Sequence, residues 1–265
     1  MIKKSFFLFV IGISCCFSQS KVLKDVPLRD SFKAGEWFEF RVNYLFFNAS
    51  YASLETQNDT INGIPVLHAK GYGKTIGLAR LFFKVEDYYE SYFNPKTGEP
   101  LRFIRNTYEG GYTKNVQIDF DHELKIAHVN NKKSKEKNDF KIKPRVQDML
   151  SAFYYLRNYF PKEEIKINES FNINMFFDNE NYEFKLKLLG VEDVKTKFGI
   201  VECLKFRPIV QSGRVFREKE SLTIWITNDK NHVPIRIQAD IAVGAVKIDL
   251  ENFKNLKHPF KIKIK

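Results

Sequence analysis

Cysteine is scarce in this chain, and its placement matters more than its count. Cys15 and Cys16 fall within the first twenty residues, and Cys203 stands alone. If those twenty residues are a leader, the mature chain has no pair of thiols. No internal disulfide can then staple it, even in an oxidising compartment. Histidine clusters are missing as well. His68, His122, His128, His232 and His258 are dispersed, and only His122 and His128 are close, flanking an expected turn. Without a Cys/His cluster or an HExxH sequence the usual zinc grammar is absent, which leaves only a site assembled from distant strands. No run of about 20 apolar residues exists to cross a bilayer as a helix. Acidic residues are in deficit: 32 against 43 basic ones, a net charge of +11.

What is present begins with an address. Lys3 and Lys4 precede an apolar run from Phe6 to Phe17, and Ser18-Gln19-Ser20 gives a small, polar exit. This is the layout of a secretory signal peptide over residues 1–20. Soluble release into the periplasm is expected. The alternative is a lipid anchor on Cys15 or Cys16, for which Ser14 is acceptable and Gly12 a poor fit. Loss of Lys3 and Lys4 leaves a charge of 11 − 2 = +9. In an exported protein that field meets anionic lipid headgroups, lipopolysaccharide phosphates or acidic glycans rather than nucleic acid. The bland alternative is solubility alone.

The dominant period of the remaining chain is two. Phe38, Phe40, Val42 and Tyr44 alternate with Glu39, Arg41 and Asn43, and Tyr182, Phe184, Leu186 and Leu188 alternate with Glu183, Lys185 and Lys187. Similar alternation runs through 116–120, 171–175, 222–227, 233–238 and 246–250. Each is a strand with one buried and one wet face. Asn62-Gly63, Asn94 to Gly98, Gly110-Gly111 and Asp178 to Asn181 punctuate them at hairpin spacing; such residues accept a positive φ or fix a turn. About a dozen locally joined strands predict an antiparallel meander.

Two segments break the period. Leu78, Leu81, Phe82 and Val85 recur at three and four, which predicts a short helix near 76–84. The second is stronger: Val146, Met149, Leu150, Phe153, Tyr154 and Arg157 share a helical face, with Pro144 suiting a start and Pro161 an end. A helix over 145–159 follows, preceded by a lysine-rich stretch, Asn130 to Asp139, that reads as an exposed loop. The expected fold is all-β: one large curled antiparallel sheet, a barrel or half-barrel, with that helix across its concave face. The expected domain is 21–265, with N-terminal strands over 36–129 and C-terminal strands over 164–252.

No constellation for catalysis is apparent. Cys203 sits in a strand pattern without a base beside it. Gly71-Tyr72-Gly73-Lys74-Thr75 lacks the earlier glycine of a phosphate loop, since His68 stands there. Glu86-Asp87 and Glu192-Asp193 read as solvated charge. Nothing calls for a cofactor, and no enzyme is expected. Aromatics are abundant at 15% of residues. Tyr88-Tyr89, Tyr92-Phe93 and Phe153 to Tyr155 are adjacent, so some face away from a simple core. They line a cavity for an apolar ligand or pack a generous core.

The residues Gly77 to Tyr92, Gly98 to Phe103, Tyr108 to Tyr112 and Phe120-Asp121-His122 resemble a known exported bacterial family. So do Gly35-Glu36, Phe47-Asn48-Ala49 and above all Asp148 to Arg157. The family is DUF3108, a domain of unknown function. The resemblance implies export in a Bacteroidetes-type bacterium and an all-β fold with a central helix, and it brings no activity or catalytic residues. The expected fold is also similar, at fold level only, to periplasmic lipoprotein carriers of the Lol type.

The leading expectation is a non-enzymatic protein that holds a lipid or other apolar ligand in a half-barrel. Phe153 and Tyr154 would line it, and Arg157, Arg80, Arg102 and Arg105 would meet an anionic headgroup. The alternative is a structural or protein-interaction component of the periplasm or outer membrane. In either case the chain is expected to be peripheral to a membrane at most.

Overall fold

The computed structural model describes residues 21–22, 30–45, 47–159, 165–209, 222–240 and 244–263. The expected leader, with Cys15 and Cys16, lies outside the described residues. The chain runs β1 (Lys21–Val22), β2 (Trp37–Tyr44), β3 (Phe47–Ile61), β4 (Ile64–Thr75), α1 (Gly77–Phe82), β5 (Val85–Phe93), β6 (Pro100–Glu109) and β7 (Tyr112–Asp121). It continues with β8 (Ile126–Asn131), β9 (Glu136–Lys141), α2 (Met149–Tyr159), β10 (Ser170–Phe177), β11 (Glu180–Thr196), β12 (Gly199–Ile209), β13 (Leu222–Thr227), β14 (Pro234–Asp240) and β15 (Ala245–Lys254).

The strands form one sheet, in the order β1-β10-β11-β12-β13-β14-β15-β2-β3-β4-β5-β6-β7-β8-β9. All neighbours are antiparallel except β1, which pairs parallel with β10. Two meanders, β2–β9 and β10–β15, are therefore spliced by one ladder between β15 and β2. There Ile248 lies opposite Val42, and Lys254 opposite Trp37. The sheet does not close, but its open seam is laced. Gln147 makes a parallel bridge to Met175. Its N–H donates to the Asn174 carbonyl at 2.8 Å, and its own carbonyl accepts from Phe176 N–H at 2.9 Å. Asn181 donates to the Lys141 carbonyl nearby at 2.7 Å. The β10 edge thus carries β1 and Gln147 instead of a bare row of amide groups, which protects it from edge-to-edge pairing.

Alternation decides which face is dry. Phe38 on β2, Phe93 on β5, Phe103 on β6 and Ile118 and Phe120 on β7 all point into the concave side and are buried. Helix α2 lies against that side. Leu150 and Tyr154 join the cluster built mainly from β2–β8, whereas Ala152 and Tyr155 join one built from β10–β12. Gly71 is where helix and sheet approach closely: a methyl there would stand 3.4 Å from Leu150 Cδ2. The glycines near Lys74 are therefore strand residues leading into α1, not a phosphate cradle.

Two expectations need correcting. The stretch Asn130 to Asp139 is not a loop: it holds the end of β8, a turn and most of β9, with Val129 opposite Asn138 and His128 opposite Asp139. Strand β9 is an edge that buries almost nothing, so no alternation marked it. Helix α2 starts at Met149 rather than near 145. Arg145 has φ +53 and Gln147 belongs to the seam, so Asp148 becomes the N-cap. Its Oδ1 accepts from Leu150 and Ser151 N–H, both at 2.8 Å, while Ser151 Oγ accepts from Asp148 N–H at 2.9 Å. This reciprocal capping outcompetes the proline as a start signal.

Candidate functional site

The site is built around α2, which is tied down at both ends. At its start the buried Asp148 carboxylate accepts from Ser91 Oγ on β5 at 2.6 Å. Burial nevertheless pushes this carboxyl up to about 6, against the pull of the Ser91, Ser151 and Leu150 hydrogen bonds. Tyr159 donates to the carbonyls of Lys96 and Thr97, both at 3.1 Å.

The last turn carries the strongest polar constraint. Arg157 and Glu36 are 3% and 0% exposed, and they form a two-pronged ion pair of 2.6 and 3.0 Å. Arg157 Nε donates to the Asn231 carbonyl at 2.9 Å and Nη2 to the Ser31 carbonyl at 3.2 Å. The rings of Phe32, Phe38, Phe153 and Tyr154 surround the guanidinium at 5.3–5.8 Å. Ser31 also receives the helix end: its N–H donates to Asn158 Oδ1 at 3.0 Å and its hydroxyl to the Arg157 carbonyl at 2.9 Å. A fork–fork pair inside a ring of aromatics fixes orientation as well as charge.

Between the other side of α2 and β10–β14 lies a cavity of about 390 Å³. Met149, Ala152, Phe153 and Leu156 form its helix wall, the i, i+3, i+4, i+7 stripe of one helical face. Phe171, Met175, Tyr182, Phe184, Leu186, Phe206, Ile224, Ile226, Pro234 and Ile237 form the sheet wall. Among the described lining residues only Arg157 carries a permanent charge, and Glu36 already engages it. His232 lines the inner end, its Nδ1 3.0 Å from the Arg157 carbonyl. Burial raises the Tyr182 phenol, with Asp178 adding to it, so the hydroxyl stays protonated.

The six residues singled out from the sequence do not share one place. Phe153 and Arg157 line the cavity. Tyr154 faces the opposite way, against Phe32 and Phe93 at centroid distances of 4.8 and 5.4 Å. Arg80 pairs with Glu86 beside α1 at 3.0 Å, and Arg102 with Asp119 at 2.5 Å. Arg105 approaches Asp178 at 3.2 Å, and its guanidinium lies 5.0 Å from the Phe177 ring. Near it Asp87 is raised to about 6 by burial and by Glu109. The sheet wall of the cavity was not singled out. Its alternation in 182–188 and 222–226 was readable, but which concave residues face a void depends on how the sheet curls.

The adjacent aromatics divide between faces. Tyr89 and Phe93 enter the concave side, while Tyr88 stacks on Tyr72 at 4.5 Å and Tyr92 on His68 at 3.8 Å. His68 lies between Asp59 and Glu90 carboxylates at 3.1 and 2.7 Å. Cys203 is buried, and burial pushes its thiol up to about 12. Among the described residues, no three His, Cys, Asp or Glu side chains are grouped to hold a metal. No described helix is long and apolar enough to cross a membrane.

An open, curled antiparallel sheet wrapped around one helix is the architecture of a β-barrel-like protein. This chain belongs to the family described as protein of unknown function (DUF3108), whose profile matches residues 39–251. A crystal structure of a β-barrel-like protein of the domain of unknown function DUF1849 from Brucella abortus is similar to it. The TM-score is 0.54 at 9% identity, over 85% of this chain and 99% of that one. That likeness is one of fold alone. A DUF1089 family protein from Pseudomonas aeruginosa gives a TM-score of 0.38 at 10% identity, over 73% and 92% of the two chains. No curated protein matches the sequence.

Proposed function

We propose that this protein is a non-enzymatic binding protein of the bacterial envelope that holds an apolar chain, such as a lipid acyl group, between α2 and β10–β14. The observation that carries this reading is the cavity of about 390 Å³ whose walls are almost wholly aliphatic and aromatic. Ligand pockets have this size and lining, with few polar groups fixing orientation. Arg157 acts as a pin rather than a headgroup receptor, because four hydrogen bonds already engage it. A ligand headgroup would stay towards the Tyr182 end of the cavity, next to the β10–β11 turn.

Native mass spectrometry of protein released gently from its host envelope tests the reading. A stoichiometric lipid mass, lost in Ile237→Trp, is the expected result. A bare polypeptide mass, together with no uptake of a fluorescent fatty acid in vitro, would sink it.

A further inference from the structure

Antiparallel connectivity places alternate turns at one end of the sheet. Leu45 and Phe47 of the β2–β3 turn, α1, the Gly110-Gly111 turn, the Lys132–Lys135 turn and the Asp178-Asn179 turn share such an end. Contacts between them agree: Gly110 N–H donates to the Lys84 carbonyl at 2.8 Å, and Lys114 reaches Asp178.

This end exposes apolar side chains in a way the rest of the surface does not. Helix α1 buries none of its residues. Leu81 and Phe82 are 81% and 87% exposed, and Leu78, Phe83 and Phe47 are each more than half exposed. Phe83 is held up by the neighbouring turn, since an added methyl at Gly110 would stand 2.2 Å from its ring. Tyr108 and Tyr112 continue the patch. The opposite end exposes Ile64, Leu124, Ile167 and Ile262, each on a separate segment of the chain. Contiguous exposed apolar surface of this kind marks a contact site.

Charge says what the contact is. Residues 74–84 hold Lys74, Arg80 and Lys84 and no acid, and residues 132–135 hold Lys132, Lys133 and Lys135 and no acid. Glu86 pairs with Arg80 and Lys84, and Asp178 with Lys114, which leaves the two loops still basic. Large apolar tips ringed by lysine, with tyrosines behind them, match an anionic lipid surface: the tips enter the acyl boundary and the cations meet phosphate.

We propose that this end of the sheet docks on an anionic bilayer, with Leu78, Leu81, Phe82 and Phe83 inserted. The docking does not rest on the cavity reading, and vesicle binding is measured without any cavity ligand. It adds a route, because Tyr182, a cavity-lining residue next to the Asp178-Asn179 turn, lies at this same end.

The test is co-sedimentation of the purified protein with phosphatidylcholine vesicles, with and without phosphatidylglycerol. Binding to the anionic vesicles is expected, weakening as salt rises. The double variant Leu81→Asp/Phe82→Asp should weaken it by more than about tenfold with an unchanged melting curve. In a second variant, Phe82→Trp, indole emission should shift to the blue on adding anionic vesicles. Absence of sedimentation, equal binding by the double variant, or no shift in Phe82→Trp emission overturns the proposal. So does a dimer that the double variant dissociates without any vesicle binding, which would assign the surface to a second copy.

Discussion

Replacing Arg157 with methionine strips the buried end of α2 of its cation and leaves Glu36, which is 0% exposed, as a carboxylate without a counter-charge. Breaking one side of such a pair costs about 3–5 kcal/mol. The Ser31 and Asn231 carbonyls lose a donor at the same time. In a chain of this size the loss corresponds to a melting point lower by roughly 6–20 °C. Glu36→Leu alone should be comparably harmful, because it strands the guanidinium. In the double variant no buried charge remains, and the rings of Phe32, Phe38, Phe153 and Tyr154 can close on two apolar side chains. The remaining penalty is then mainly that of the two orphaned carbonyls, about 1–3 kcal/mol each. Urea denaturation of the four proteins, extrapolated to water, gives the cycle. The expected coupling exceeds about 2 kcal/mol, the double variant being more stable than the sum of the singles predicts. A loss below about 1 kcal/mol for Arg157→Met, or strict additivity, would refute the view that this pair fixes the helix.

Asp148 should make stability depend on pH in a direction opposite to that of a salt-bridged carboxylate. Burial pushes its carboxyl up to about 6 in the fold, against 3.8 for a free aspartate, so the native state binds the proton more tightly. The residue therefore destabilises above about pH 6, and that penalty fades as pH falls towards 3.8. Asp148→Asn keeps an acceptor for Leu150 and Ser151. Relative to the natural protein it should gain up to about 3 kcal/mol at pH 8 and little at pH 4. Denaturation at the two pH values checks the sign, and an equal difference at both would contradict it. Cys203, buried with its thiol raised to about 12, should resist an aromatic disulfide reagent in the native state. Its labelling rate should rise with urea in step with global unfolding, and fast labelling in buffer would count against a sealed core.

The strands were readable because a curled sheet needs one dry face along each of them. The alternation in 38–44 and 182–188 puts Phe38 and Phe40 of β2 and Tyr182, Phe184, Leu186 and Leu188 of β11 in or against the core clusters. Strand β9 was not readable, since an edge strand is selected for what it keeps wet. Helix α2 was legible in its period, and Asp148 with Ser151 three residues later carried the cap signal, overshadowed by Pro144. The split of its supposed single face was not legible. Leu150 and Tyr154 are buried in the cluster built mainly from β2–β8, and Met149 and Phe153 pack against that cluster while also bordering the cavity, because concave sheet surrounds the helix. The Arg157–Glu36 pair joins residues 121 apart, a contact that periodicity cannot express. In α1 the spacing announced a helix, yet the apolar stripe that usually finds a core finds solvent.

The splice between β15 and β2 governs how the chain can be made. Every hairpin ladder within β2–β9 can zip as soon as its second strand has been made. The ladder that joins the two meanders cannot, because Trp37 waits for Lys254. Closing so long a loop is slow. Until synthesis is nearly complete, β2 presents a bare edge. A chain stopped before Ala245 would therefore be cut through its middle rather than shortened at one end. A protease would meet two half-sheets, each with an unsealed flank.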